Sequence, residues 1–497
     1  MELMPPDAAG PASQYEMQTA GAMGIDPDTL NGNLSAVQGP FVRVDEPPKF
    51  ELETYIANYT GRTRFNRLFL IGTCSTYLAA DALKAAVAEA KSGKDVSRYE
   101  RAVQALTEIS QSEAEAVIDR EWAERSLKVV KTETDRLEHE LKGYKNNLIK
   151  ESIRMGNEDL GQHYHQVGDL ASAFKAYSRM RDFCTTPSHI ASMLFKIISV
   201  AIERGDWLSV QSHVQRLRSQ QLKQEEVLKN QPKQLAAMGL SQLHSGSYIE
   251  AANSFLAAEP SLGDSYNEII SSNDVAVYGG LCALASMDRN ELQRRVIDNS
   301  SFRNFLELEP HIRRAISFFC NSKFRPCLEI LEAYRADYLL DIHLQRHVHT
   351  LYTRIRTKSI QQYLIPFNRV SLDSMAKIFV LNPTTQSDRS QKDSTSAFVQ
   401  ELISLIQDGT LDARIDLEKN VLVSSQADKR VEVQEATLNS LDQYVHEAHL
   451  RLLRANIVRA GLEVRPLGKN EDRRGKEERG GKRNTFGNLL SRATGMK

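Results

Sequence analysis

Cysteine is scarce: Cys74, Cys184, Cys282, Cys320 and Cys327 are the only five in 497 residues, odd in number and without a CxxC spacing. Such a set does not build a disulfide framework, and it predicts reduced thiols in a reducing compartment. Long hydrophobic runs are missing too. The most apolar stretch, Leu68 to Ala80, is broken by Gly72, Thr73, Ser75 and Thr76 and falls short of the roughly 18 apolar residues that span a bilayer. The first residues, MELMPPDAAGPASQ, have no basic segment followed by an apolar one, so no secretory leader is expected. Net charge is nearly absent, at −1, which excludes a global field drawing the chain to nucleic acid or anionic lipid. A soluble intracellular protein is the expectation.

Catalytic constellations are also lacking. No phosphate loop, dinucleotide fingerprint or GxSxG elbow occurs. His163-Tyr164-His165 has the HxH form of a JAMM metalloprotease, but Ala173 and Phe174 stand where a downstream Asp would be needed; the pair is read as opening a repeat helix. His343, His347 and His349 cluster in sequence, the first two at i, i+4 on an expected helix, yet Leu344 follows His343 where zinc proteases carry glutamate. Cys320 and Cys327 are read as buried free thiols. No catalytic residue, cofactor or metal site is expected.

What is present is a normal globular balance, 41% hydrophobic and 26% charged, over a length that suggests about two to four domains. Residues 1–49 are rich in Gly, Pro, Ala and Asp and are expected to be disordered. A helical region, 50–155, includes a charged stretch from 113 to 154 with sparse apolar points such as Trp122, Leu127, Leu137, Leu141 and Leu148, expected to be a long solvated helix or helix pair.

Residues 156–362 carry a repeat. Gly168-Asp169-Leu170, Gly205-Asp206-Trp207 and Gly246-Ser247-Tyr248 share a turn signature, their glycines 37 and 41 residues apart. Ser322-Lys323-Phe324 follows 76 residues later, two periods of 38, with a degenerate turn near Asp288 between. A period near 38 on a helical background means stacked helix pairs. Glycine suits the left-handed end of one helix and aspartate the start of the next.

Residues 363–430 change character. A capped start at Ser371-Leu372-Asp373, a polar loop from Asn382 to Ser396, a helix from about Thr395 to Gln407 and two extended runs, Leu411 to Asp416 and Val421 to Ser424, follow the order of a winged helix. Between 366 and 430 there are eight Lys/Arg against nine Asp/Glu, and Phe398 to Gln407 has no basic residue. Phosphate contacts dominate nucleic-acid affinity, so a nucleic-acid-binding winged helix is the weaker alternative. Residues 431–466 form an amphipathic helix whose seam, Leu438, Leu441, Val445, Ala448, Leu452 and Ala455, steps 3, 4, 3, 4, 3 in a heptad pattern. The tail, 467–497, is expected to be disordered, with one apolar patch at Phe486, Leu489 and Leu490.

Repeats entering a winged helix and then a terminal helix resemble the PCI-domain proteins of the proteasome lid, the COP9 signalosome and translation initiation factor 3. The block Lys150 to Gly161, its continuation Gly168 to Thr185, the segment Tyr363 to Phe367 and the wing Asp408 to Asp416 resemble the signalosome members most, over about residues 50–465. The Asn382 to Ser396 loop is longer and more polar than that family's usual connection. The fold so implied is mostly α: a right-handed solenoid of TPR-like helical hairpins, a winged-helix PCI module and a C-terminal helix. The function implied is that of a non-catalytic scaffold supporting removal of a ubiquitin-like modifier from cullin-RING ubiquitin ligases, the metallo-isopeptidase residing in another subunit. A proteasome-lid scaffold is the alternative. Implied partners are the other PCI and metalloprotease-fold subunits, and cullin-RING ligases through the N-terminal region, with no direct nucleic acid or membrane and with cytoplasmic and nuclear localisation. The resemblance makes the wing, with Leu411, Arg414, Ile415, Val421 and Val423, the candidate edge for strand addition, and the seam from Leu438 to Ala455 the candidate bundle face.

Overall fold

Glycine 72 sets how closely the first helices meet. In the computed structural model, which describes residues 42–110, 113–380, 388–424 and 429–462, a Cβ on Gly72 would lie 2.5 Å from Leu83 Cγ. The helix Gly61–Cys74 therefore lies tight against the alanine-rich Ala79–Ser92, and Val96–Ile109 closes the layer. Their buried faces, with Leu68, Ile71, Leu83, Ala86, Val103 and Leu106, form one core. The lead-in strap is held by backbone bonds, Val44 N–H to Cys74 O at 2.8 Å and Thr76 N–H to Val44 O at 3.1 Å. Arg120–Asn146 follows, capped by Asp119, with only Ala123, Leu137 and Leu141 buried. This is the solvated helix that its charge density dictates, and it pairs with Lys150–Val167 across a short connection.

The repeat is then read off the backbone. Gly168, Gly205 and Gly246 have φ of +102°, +70° and +77°, and Ser322 takes the same left-handed slot at +58°. Each ends one helix and turns the chain into the next: Lys150–Val167 into Leu170–Met180, Pro187–Arg204 into Trp207–Arg218, Gln224–His244 into Tyr248–Leu256, and Pro310–Cys320 into Phe324–Ala333. Asp169 and Asp206 accept the backbone N–H of Ser172 and Ser209 as N-caps. The degenerate slot holds a capping box between Asp288 and Glu291. Between the third and last of these pairs, Ser272–Ser286 is buried on nearly every side, the mark of a helix surrounded by its neighbours.

Val348–Leu364 carries the chain into a three-stranded sheet: β1 (Arg369–Ser371), β2 (Ala413–Asp416) and β3 (Val421–Ser424). Its order is β1-β3-β2, both pairings antiparallel. The helices Leu372–Phe379 and Asp388–Gln407 lie between β1 and β2 in sequence. Solenoid and winged helix share one core, continuous from Leu170 to Leu422. Phe324 stacks on Phe379 with centroids 6.3 Å apart, and Phe379 on Phe398 at 6.0 Å.

The structure corrects the sequence reading in several places. The strand β1 was not anticipated, and β2 begins at Ala413, leaving Leu411 outside it. Helix starts at Asp388, inside the stretch read as a loop. His163 and His165 lie in the last turns of their helix, not the first. His343 and His347 precede the helix that starts at Val348. The disorder expected for the segment up to residue 41 and for 467–497, with the Phe486, Leu489 and Leu490 patch, lies outside the described residues. The chain divides into two compact units, 1–425 and 426–497; the second presents the 31-residue helix Lys429–Arg459.

Candidate assembly surfaces

Strand order decides which part of the wing can accept another strand. Because β3 lies between β1 and β2, Val421 and Val423 sit on an interior strand whose two sides are already paired. They are half-buried, as is Ile415, and Leu411 is buried in the core. Of the wing residues singled out from sequence, Arg414 and Ile415 lie on an edge, that of β2; the other edge is β1. The expected edge pairing thus narrows to Ala413–Asp416 or Arg369–Ser371, and Leu411, Val421 and Val423 are removed from it.

The helix Asp388–Gln407 stands where a DNA-reading winged helix places its recognition element. Its Glu401 is held by Arg356, with Nε donating to Oε1 at 2.6 Å and Nη2 to Oε2 at 2.9 Å. This face is turned to the protein and bears a carboxylate, the wrong sign for a phosphate backbone.

On the terminal helix, Leu438, Leu441, Val445 and Leu452 are 61%, 54%, 64% and 64% exposed. Ala455 is exposed and Ala448 half-buried. A row of aliphatic side chains at heptad spacing is the surface a helical bundle covers.

Two buried ionic networks fix the N-terminal helices on the repeats, and sequence reasoning missed both. Arg67 is fully buried; its guanidinium donates to Asp341 Oδ2 at 2.6 Å and Asp274 Oδ2 at 2.8 Å, and also reaches the hydroxyls of Tyr55 and Tyr278. Burial raises the Asp341 carboxyl, but Arg67, His343 and the Tyr278 hydroxyl outweigh it and hold Asp341 below the usual range; at Asp274 burial wins and the carboxyl is raised. Arg62 donates to Asp95 at 2.9 Å and Glu203 at 2.8 Å, and His165 meets Glu203 at 2.8 Å. The available signal was a lone arginine inside an apolar helical run, Phe65 to Ile71.

The candidate metal histidines are committed elsewhere. His163 Nε2 contacts Thr134 Oγ1 at 2.9 Å. His343 Nδ1 faces His244 Nε2 at 3.1 Å, His347 Nδ1 meets the Tyr248 hydroxyl at 3.0 Å, and Trp207 stacks on His244 at 3.9 Å. Among the described residues no group of three or more His, Cys, Asp or Glu is placed to hold a metal ion, and no helix is long and apolar enough to cross a membrane.

Helical hairpins running through one core into a winged helix define a PCI-domain protein, and residues 331–426 match the family described as PCI domain. Residues 119–295 match the family described as 26S proteasome subunit RPN7. The chain is 79% identical over 502 residues to COP9 signalosome complex subunit 1 of Emericella nidulans, with 100% of both chains covered. It is 45% identical to the protein of that name from Neurospora crassa over 82% of this chain and 89% of the relative. Against 26S proteasome non-ATPase regulatory subunit 6 of Caenorhabditis elegans the identity is 23%, over 62% of this chain and 73% of the relative. The chain belongs to the COP9 signalosome subunit 1 family.

Proposed function

We propose that this chain is a non-catalytic scaffold subunit of a COP9 signalosome. The reading is carried by the open heptad seam of the terminal helix, on a chain 79% identical to a signalosome subunit over its full length. An aliphatic row exposed at this spacing is stabilised by helices from other chains. The winged helix contributes a second contact, with β1 or β2 adding an edge to a neighbouring PCI subunit. The isopeptidase chemistry that removes a ubiquitin-like modifier from cullin-RING ligases belongs, in this reading, to a metalloprotease-fold partner. The N-terminal helices, clamped by Arg67 and Arg62, are the part offered to the ligase, and the complex works in cytoplasm and nucleus. The test is purification of the native chain under its own promoter with identification of what accompanies it. Recovery of signalosome subunits and cullins is expected; recovery of proteasome base ATPases in their place would transfer the chain to the regulatory lid.

A further inference from the structure

Beside the Arg67 network, away from the wing, lies a cavity of about 320 Å³. Its walls combine aromatic rings with carboxylates. Tyr55, Tyr59, Tyr278, Tyr334 and Tyr338 line it together with Asp274, Glu309, Asp337 and Asp341. Two cations already use these walls. The Arg67 guanidinium sits 4.0 Å over the Tyr59 ring while bonding Asp274 and Asp341. Lys49 Nζ sits 4.3 Å over the Tyr334 ring, and the Lys49 backbone N–H donates to Asp337 Oδ1 at 2.8 Å. His311 stacks on Tyr334 at 3.9 Å, so histidine and lysine take opposite faces of one ring.

The charges do not balance. Arg67 is spent on Asp274 and Asp341, and of the remaining pair, Glu309 and Asp337, it is Asp337 that feels the charge of the Lys49 ammonium. Glu309 Oε1 accepts from Asn273 Nδ2 at 2.7 Å, and its other oxygen lies 3.3 Å from His311 Nδ1. His311 does not supply the missing charge: burial, with Arg314 and Lys49 nearby, lowers it to about 4, so it is neutral near pH 7. Burial also pushes the carboxyls of Glu309 and Asp337 up, the response of acids short of a cation. Aromatic faces attract ammonium and guanidinium groups, and the volume lies at the lower end of ligand pockets, enough for one long side chain.

We propose that this cavity is a receptor for a lysine side chain presented on an extended segment of a partner protein, and that Lys49 is its in-chain occupant, holding the mouth until displaced. Lysine fits better than a quaternary ammonium because the carboxylates of Glu309 and Asp337 accept N–H bonds. A protein segment is favoured over a free amine because the Lys49 backbone itself passes the mouth, bonded to Asp337, and shows how a chain lies there.

The test titrates a fluorescein-labelled peptide, Gly-Ser-Lys-Ser-Gly with blocked ends, into the full chain and reads anisotropy. Lys49→Ala is expected to bind at least about fivefold more tightly than the native protein, since its mouth is vacated. In the Lys49→Ala background, Tyr334→Phe is expected to keep binding, whereas Tyr334→Leu and Asp337→Asn each weaken it about tenfold. Thermal melts of each variant separate loss of the cavity from loss of the fold, and Tyr334→Phe supplies a folded control. No saturable binding to the Lys49→Ala chain would overturn the proposal. So would equal binding of a peptide with norleucine in place of lysine, or equal binding when that lysine is trimethylated.

Discussion

Arg356 and Glu401 form a two-pronged ion pair that joins the helix leading into the winged helix to the longest helix of that module. The third prong of the same guanidinium reaches the carbonyl of Phe379 at 2.9 Å. One side chain therefore fastens three segments of the PCI region. Arg356→Ala is expected to destabilise the chain by about 2 kcal/mol through lost charge-assisted bonds. Arg356→Lys is expected to recover little, because an ammonium lacks the planar fork. Chemical denaturation of the three proteins at one pH checks both statements.

Arg67 is a harsher site. Replacing it by methionine leaves Asp274 and Asp341 facing each other away from water, a change that costs about 3–5 kcal/mol in comparable buried pairs. The first sign is expected to be local. Limited proteolysis should release fragments cut between residues 52 and 110 while the solenoid from Leu170 onward stays protected. Protection unchanged across the N-terminal helices would show that the apolar faces suffice without the guanidinium.

The bundle seam predicts a separation of assembly from stability. Leu441→Asp with Leu452→Asp places two charges on side chains exposed in the isolated chain, so its melting temperature should move by less than about 2 °C. A bundle formed over this seam would bury each charge without a partner, at several kcal/mol in total, and co-purification of partner subunits should then be lost. Partners retained at native yield would place the bundle contact elsewhere.

Acid sensitivity follows from histidines that the fold keeps neutral. Burial lowers His343 to about 4, with Arg67 and His347 adding to it and Asp341 opposing, and burial lowers His244 further still; His311 also lies at about 4. Unfolded, each returns to its ordinary value of 6.5. The unfolded state therefore binds protons that the native state refuses. Stability is whole above 6.5 and falls as pH drops toward 4, by about 1.4 kcal/mol per pH unit for each such histidine. Urea midpoints at pH 7.5, 6.0 and 5.0 should show the decline, and His343→Asn should flatten it by the share of one proton.

The repeat turns give a graded set of backbone substitutions. Gly246→Ala meets open space, so only the left-handed backbone is penalised, at about 1 kcal/mol. Gly168→Ala is expected to cost more, because its Cβ would fall 2.3 Å from Asp95 Oδ2 in addition to a φ of +102°. Ser322→Gly should stabilise by about 0.5–1 kcal/mol, relieving the same conformation at a position where serine stands. Thermal melts should place Ser322→Gly above the native chain, Gly246→Ala below it and Gly168→Ala lowest.

These turns also show what was legible in advance. Gly168, Gly205 and Gly246 announce themselves because few other residues tolerate positive φ, and Asp169 and Asp206 because a side-chain oxygen must meet the orphan N–H groups of a helix start. The seam from Leu438 to Ala455 was legible for a similar reason, its period being a property of sequence alone. Strand β1 was not: Arg369, Val370 and Ser371 are too few to display alternation, and they become a strand only because Val421 to Val423 arrive beside them. Leu411 looked like a strand residue and is core instead, since Gly409 and Thr410 turn the chain before the sheet begins. His343 and His347 keep helical spacing without lying in a helix, because Asp341 captures the backbone N–H groups of His343 and Leu344 and holds a turn. Arg67 was invisible as a site, since its partners lie 207 and 274 residues away.

The ring-on-ring contacts of Phe324, Phe379 and Phe398 have a mechanical meaning. A junction filled by interlocked aromatics resists bending, so the last hairpin of the solenoid and the winged helix turn as a single lever. A partner that grips the sheet edge thereby also sets the heading of the repeats behind it, and a tilt of a few degrees at the wing becomes a shift of whole ångströms at the far hairpins.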